Sequence, residues 1–190
     1  MLNKKVLCLI ISLFCVVSFA NAEKMKDGSL KEPNDKRVVL VGKVSLKNPI
    51  NLEARREAFK EMKAIQIGTF SEETIYCIGE NVQAENLPAF GETFFTIVKN
   101  KDGKYTIPCF TGTIFPDINV WFKFLLPSNV TITIPEDAKY VYIGNFEYDL
   151  DYALRPVGFK HYDEYSAAQQ ELNKATGKKE KLYRAELKFN

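Results

Sequence analysis

Val130-Thr131-Ile132-Thr133-Ile134 alternates apolar with hydroxyl side chains. A period of two is the pattern of a strand with one face buried and one face wet. Pro135 ends that strand, because proline brings no N–H to a ladder. Glu136, Asp137 and Lys139 read as a polar turn, and Tyr140–Leu150 as a second strand. Val130–Leu150 is therefore expected to be a hairpin around which the core is built. In its second strand the period places Tyr140, Tyr142, Phe146, Tyr148 and Leu150 on one face. The other face starts apolar at Val141 and Ile143 and ends polar at Asn145, Glu147 and Asp149. Gly144 interrupts the aromatic row, which predicts a bulge or a close backbone approach there.

The N-terminus carries a different signal. Lys4 and Lys5 precede an apolar run, Val6–Phe19, and Ala20-Asn21-Ala22 places small residues where a signal peptidase reads. A run of about 14 residues is too short to span a bilayer, which takes about 20. Residues 1–22 are read as a secretory signal peptide. The mature chain is then expected in the periplasm, at the cell surface or outside the cell. Removing Lys4 and Lys5 leaves 24 basic and 24 acidic residues. A neutral chain has no electrostatic footprint for nucleic acid or for an anionic membrane surface. No later apolar stretch approaches membrane-spanning length.

Two cysteines follow the signal, Cys77 in TIYCIGE and Cys109 in TIPCFTG. An exported compartment oxidises thiols, so a Cys77–Cys109 disulfide is expected, with two separate buried thiols as the alternative.

The rest of the chain is dominated by strand text. Residues 23–36 are charged and aperiodic and read as a flexible leader before one domain, 37–190. Arg37–Leu46 is a strand with Val38, Leu40, Val44 and Leu46 on its more apolar face. Asn51–Ala64 shifts to a helical period behind Asn51. Ile65–Phe70 and Thr74–Gly79 are short strands. Asn100-Lys101-Asp102-Gly103 between two strands is a hairpin signal. Ile118–Leu126 is the most apolar strand, and Leu154–Lys160 is a further one. Asp163–Lys174 is the clearest helix, with Asp163 as N-cap, the stripe Tyr165, Ala168 and Leu172, and Gly177 as the stop. Leu182–Phe189 closes the chain as a strand. The fold class expected is mainly β, an antiparallel β-sandwich of about 7–9 strands with one or two short helices.

Catalytic constellations are scarce. His161 is the single histidine, which excludes metal sites built on histidine pairs and leaves any triad to one position before the C-terminal helix. There is no nucleophile elbow and no phosphate-binding glycine loop. Glu147, Asp149 and Asp151 share a strand face and could offer oxygens to calcium, or form the solvated end of that face. The chain is read as non-enzymatic, with no cofactor and no metal. Most of its 14 Phe, 9 Tyr and 1 Trp are expected in the core, because a sandwich needs large side chains, but some need not be. Trp121, Tyr140, Tyr142 and Tyr148 are the candidates for an aromatic binding surface.

YVYIGNFEY, then DEYSAAQQEL and a final strand, resembles uncharacterised exported bacterial envelope proteins whose presumed fold is a prealbumin-like or carboxypeptidase-regulatory-type sandwich. The resemblance covers the last third to half of the chain. It implies a fold and a compartment and transfers no site residues. The leading functional expectation is an exported sandwich that binds a protein partner in the bacterial envelope or at the cell surface. The alternatives are a soluble carrier of a small apolar ligand and a carboxylate-based glycan hydrolase.

Overall fold

The computed structural model describes residues 26–34, 36–48, 50, 74–78, 88–100, 102–117 and 120–190, with backbone alone for 74–78, 113–117 and 120–123. The expected signal peptide, the expected Asn51–Ala64 helix and the expected Ile65–Phe70 strand lie outside the described residues. Among the described residues nine strands and one helix are formed, in the order β1 (Arg37–Leu46), β2 (Thr74–Ile78), β3 (Thr93–Lys99), β4 (Lys104–Asp117), β5 (Val120–Thr133), β6 (Tyr140–Leu150), β7 (Pro156–Tyr162), α1 (Tyr165–Thr176), β8 (Leu182–Arg184) and β9 (Glu186–Phe189). One sheet runs β3-β1-β6-β7, with β8 also paired to β6; the other runs β2-β4-β5-β9. Their facing residues, among them Val38, Leu40, Phe94, Ile107, Phe110, Leu126, Ile132, Val141, Phe146 and Tyr148, form one buried core. This is the expected β-sandwich.

A third layer covers the first sheet. Val39, Val41, Phe95, Tyr140, Tyr142 and Leu182 point away from the sandwich core and pack against Ala168, Leu172 and Ala175 of α1. Strand β1 is thus buried on both faces, which is why RVVLVGKVSL is nearly continuous rather than alternating. Helix α1 forms where its stripe predicts. The N-cap is Glu164 rather than the expected Asp163 and makes no side-chain cap bond; Asp163 Oδ1, one residue earlier, accepts the Tyr165 N–H at 3.0 Å, and Gly177 ends the helix at φ 69° as expected. The segment before β1 is docked rather than loose. Gly28 N–H donates to Lys174 O and Leu30 N–H to Ala175 O, each at 2.9 Å. These bonds satisfy carbonyls that a helix C-terminus leaves open. Leu30 is buried beside them, and Glu32 pairs with Lys139.

Two expected hairpins are corners between sheets instead. β5 pairs with β4 and β9, whereas β6 pairs with β1, β7 and β8, so Pro135–Lys139 carries the chain from one layer to the other. The turn at Asp102-Gly103 likewise joins β3 of one sheet to β4 of the other. Residues 182–189 also switch sheets, at Ala185. Two of the β6 pairings, with β1 and with β8, are parallel.

The bulge predicted at Gly144 is present. Val41 pairs with Tyr142 and Gly42 with Gly144, so Ile143 is the extra residue, and Gly144 has φ 86°. Its effect is to reset the alternation. Tyr140 and Tyr142 lie under α1, while Phe146 and Tyr148 lie between the sheets. The aromatic row that the period put on one face is therefore divided between two cores.

Among the described residues of the sandwich core one hydroxyl is unsatisfied: Thr96 is fully buried and its Oγ1 has no hydrogen-bond partner. Replacing it by an isosteric apolar side chain removes a desolvation cost without opening a cavity. Thr96→Val is expected to raise stability by about 1 kcal/mol. A urea melt checks this, and an unchanged or lower midpoint would count against the placement of Thr96.

Candidate interaction surface

The expected disulfide is absent. Cys109 is a half-buried thiol in β4. The register explains why. Cys77 stands opposite Thr111, and Cys109 lies two residues along β4 from that pair. Such diagonal neighbours have Cα atoms about 7–8 Å apart, beyond the span of about 7 Å that a disulfide bridges.

The expected tyrosine surface is corrected as well. Tyr140, Tyr142 and Tyr148 are all buried, at 1 %, 4 % and 1 % exposure. Tyr148 donates its hydroxyl to Pro127 O at 2.9 Å, where β5 is itself irregular, and burial raises its pKa. Trp121 falls within β5, and its side chain lies outside the described residues. Two of the three carboxylates in the Glu147, Asp149 and Asp151 row are held in ion pairs. Asp149 meets Lys47 at 2.7 Å, and Asp151 meets Arg155 at 2.7 Å. Among the described residues no group of three His, Cys, Asp or Glu side chains converges on a metal position.

Two other places draw functional side chains together. The first is a polar knot where α1 enters the sheet beside the Gly144 bulge. Glu164 Oε2 accepts from Lys43 Nζ at 2.5 Å and from Asn145 Nδ2 at 2.6 Å, and the Glu164 N–H donates to the Tyr142 hydroxyl at 2.6 Å. Lys43, then Asn145, hold the Glu164 carboxyl below its ordinary pKa against its partial desolvation. Asp163 binds Arg184 at 2.8 Å, and the Arg184 guanidinium lies 4.2 Å from the Tyr165 ring centre. These contacts fix the N-terminus of α1 on the sheet and leave no carboxylate of the knot uncommitted.

Burial pushes the Tyr142 hydroxyl up to about 12, against the pull of the Glu164 N–H that it accepts. An unfolded tyrosine loses its proton near pH 10. The native state therefore holds a proton that the unfolded state has released, and the Tyr142 contribution to stability is lost as pH climbs from about 10 to about 12. Urea melts at pH 8 and pH 11 are expected to show a smaller alkaline loss for Tyr142→Phe than for the native chain. Equal losses would remove Tyr142 from the account.

The second place is the open side of the sandwich, where β7 ends one sheet and β9 ends the other. The described residues leave six large apolar side chains exposed: Leu125, Tyr152, Val157, Phe159, Tyr162 and Phe189. Four of them lie on the β6–β7 hairpin, and Phe189 packs on Phe159 with ring centres 5.8 Å apart. His161 joins them, 5.2 Å from Phe189 and 5.0 Å from Phe146, with Nε2 bonded to Ile143 O at 2.9 Å across the bulge. Phe146 and Tyr148 of the core stand directly behind, in contact with Phe159. The aromatic core thus continues to the surface through this edge. Every residue of β7 except Gly158 is exposed. Solvent-facing apolar clusters of this kind mark contact surfaces more than isolated exposed residues do. The clue in the sequence was the alternation Val157, Phe159, His161 against Gly158 and Lys160. No run of apolar residues flanks it, so the alternation is weak as a sequence signal.

No family model, curated protein or solved structure matches the chain.

Proposed function

We propose that this chain is an exported, non-enzymatic β-sandwich that binds a protein partner in the envelope or at the cell surface, through the open side formed by β7 and β9. The observation that carries the reading is the concentration of exposed aromatic side chains there: Phe159, Tyr162 and Phe189, with Val157 and His161. Aromatic anchors dominate interface energetics, and a chain of neutral net charge has little electrostatic capture to use in their place. Export rests on the order of charge, apolar run and Ala20-Asn21-Ala22 in residues 1–22.

The test is Phe159→Ser with Phe189→Ser. Both rings are 43 % exposed, so the melting temperature is expected to move little. Mild cross-linking in the native cell is expected to lose the co-purifying protein in the double variant. Retention of that protein would reject this surface. N-terminal sequencing of the native protein checks the export half, where Glu23 is the expected first residue and a retained Met1 rejects it.

A further inference from the structure

We propose that the free edge of β7 takes an extended segment of the partner by strand addition, and that this segment alternates aromatic with acidic side chains. The proposal rests on the protein-binding reading above and names the chemistry of the partner. Among the described residues β7 has β6 on one side and no strand on the other. Such an edge offers backbone donors and acceptors to an incoming strand.

The chain itself shows what fits beside β7. In β6, Phe146 stands opposite His161, Glu147 opposite Lys160, and Tyr148 opposite Phe159. The sequence on the paired side is aromatic, acid, aromatic. A strand added on the free side meets the same three β7 side chains. Its alternate residues fall beside Phe159 and His161, where Phe189 extends the apolar surface. Those between fall beside Lys160, the one charged residue of PVGFKHY, which is exposed. Opposite charges across neighbouring strands stabilise a pairing, and like charges weaken it.

The same lysine argues against a second copy as the occupant. Pro156 and the irregular pairing at Val157 shorten the usable edge to Gly158–Tyr162. Two-fold antiparallel pairing over that stretch centres on Lys160 and sets it against its own copy. An acidic partner strand has no such penalty.

The experiment uses two labelled hexapeptides, NFEYDL, which copies Asn145–Leu150, and NFKYKL, with both acids replaced by lysine. Binding to the purified native protein is read by fluorescence anisotropy. NFEYDL is expected to bind about tenfold more tightly than NFKYKL, and Lys160→Glu to reverse the order. Hydrogen exchange is expected to slow at the Gly158–Tyr162 amides when NFEYDL is present. Equal affinity for the two peptides, or an order unchanged by Lys160→Glu, overturns the acidic rule. If Phe159→Ser still abolishes both bindings in that case, the interaction surface stands without it. Failure of both peptides to bind overturns strand addition, and the cross-linking result for the serine variants then decides the broader reading separately. A dimer in sedimentation that Phe159→Ser dissociates would name a second copy and overturn the proposal.

Discussion

Ile132→Asp is expected to unfold the protein, and Thr131→Asp to leave it folded. Ile132 is fully buried between Tyr105 of β4 and Leu187 of β9 in the register of the second sheet. An aspartate there meets no cation among the residues of that core, so it must either stay charged without a partner or take up a proton. Either route costs several kcal/mol, against a total stability on the order of 5–15 kcal/mol. Thr131 is one position away and points outward. Its hydroxyl lies 3.4 Å from that of Thr106 and accepts from Asn190 Nδ2 at 3.1 Å. Losing those exposed contacts is expected to cost less than about 1 kcal/mol. Thermal melts of the two variants compare them directly, and similar melting temperatures would contradict the register of β5.

The next largest effect is expected at Gly144. A Cβ at this position would lie 2.1 Å from His161 Nε2, and φ is 86°, in a region that side chains rarely adopt. Gly144→Ala therefore combines backbone strain with a clash against a ring held by Ile143 O and packed on Phe146. The expected loss is about 2–4 kcal/mol. The two causes separate in a double variant. His161→Ala in the Gly144→Ala background is expected to recover the steric share and leave the backbone share, so the two substitutions will not be additive. A Gly144→Ala protein as stable as the native chain would mean that β6 runs through without its bulge.

Much of this architecture was legible in the residues. β1 begins and ends where its β-branched run does, at Arg37 and Leu46. The stripe of α1, its Gly177 stop and the bulge at Gly144 follow from local chemistry, since each is decided within a few residues. What local chemistry does not decide is which sheet a strand joins. A turn such as Asn100-Lys101-Asp102-Gly103 reverses the chain equally well within a sheet or between two, so both expected hairpins became corners. The tyrosines were misplaced for a related reason. Alternation assigns faces only while the phase holds, and one extra residue at Ile143 sent Tyr140 and Tyr142 under a helix that the strand text does not announce. The cysteines likewise depended on register: a shift of two residues along β4 separates a bridgeable pair from a diagonal one. The aromatic edge at Phe159 and Phe189 was harder still, because its two rings are 30 positions apart in the chain and meet only once both sheets are in place.

The parallel pairing of β1 with β6 has a kinetic consequence. Val39 and Tyr140 are partners across 101 positions, and β6 takes its other neighbours from residues nearer the C-terminus still. Closing so long a loop costs entropy before any contact offsets it, and folds dominated by distant pairings assemble slowly. β1 can pair with β3 earlier, but β6, the strand that joins β1 to β7 and β8, cannot be seated until more than two thirds of the chain has emerged, and Leu182–Arg184 must follow before its edge is covered. A chain built in this order spends most of its synthesis without a closed core, so its apolar strand faces stay open until the C-terminal quarter is in place.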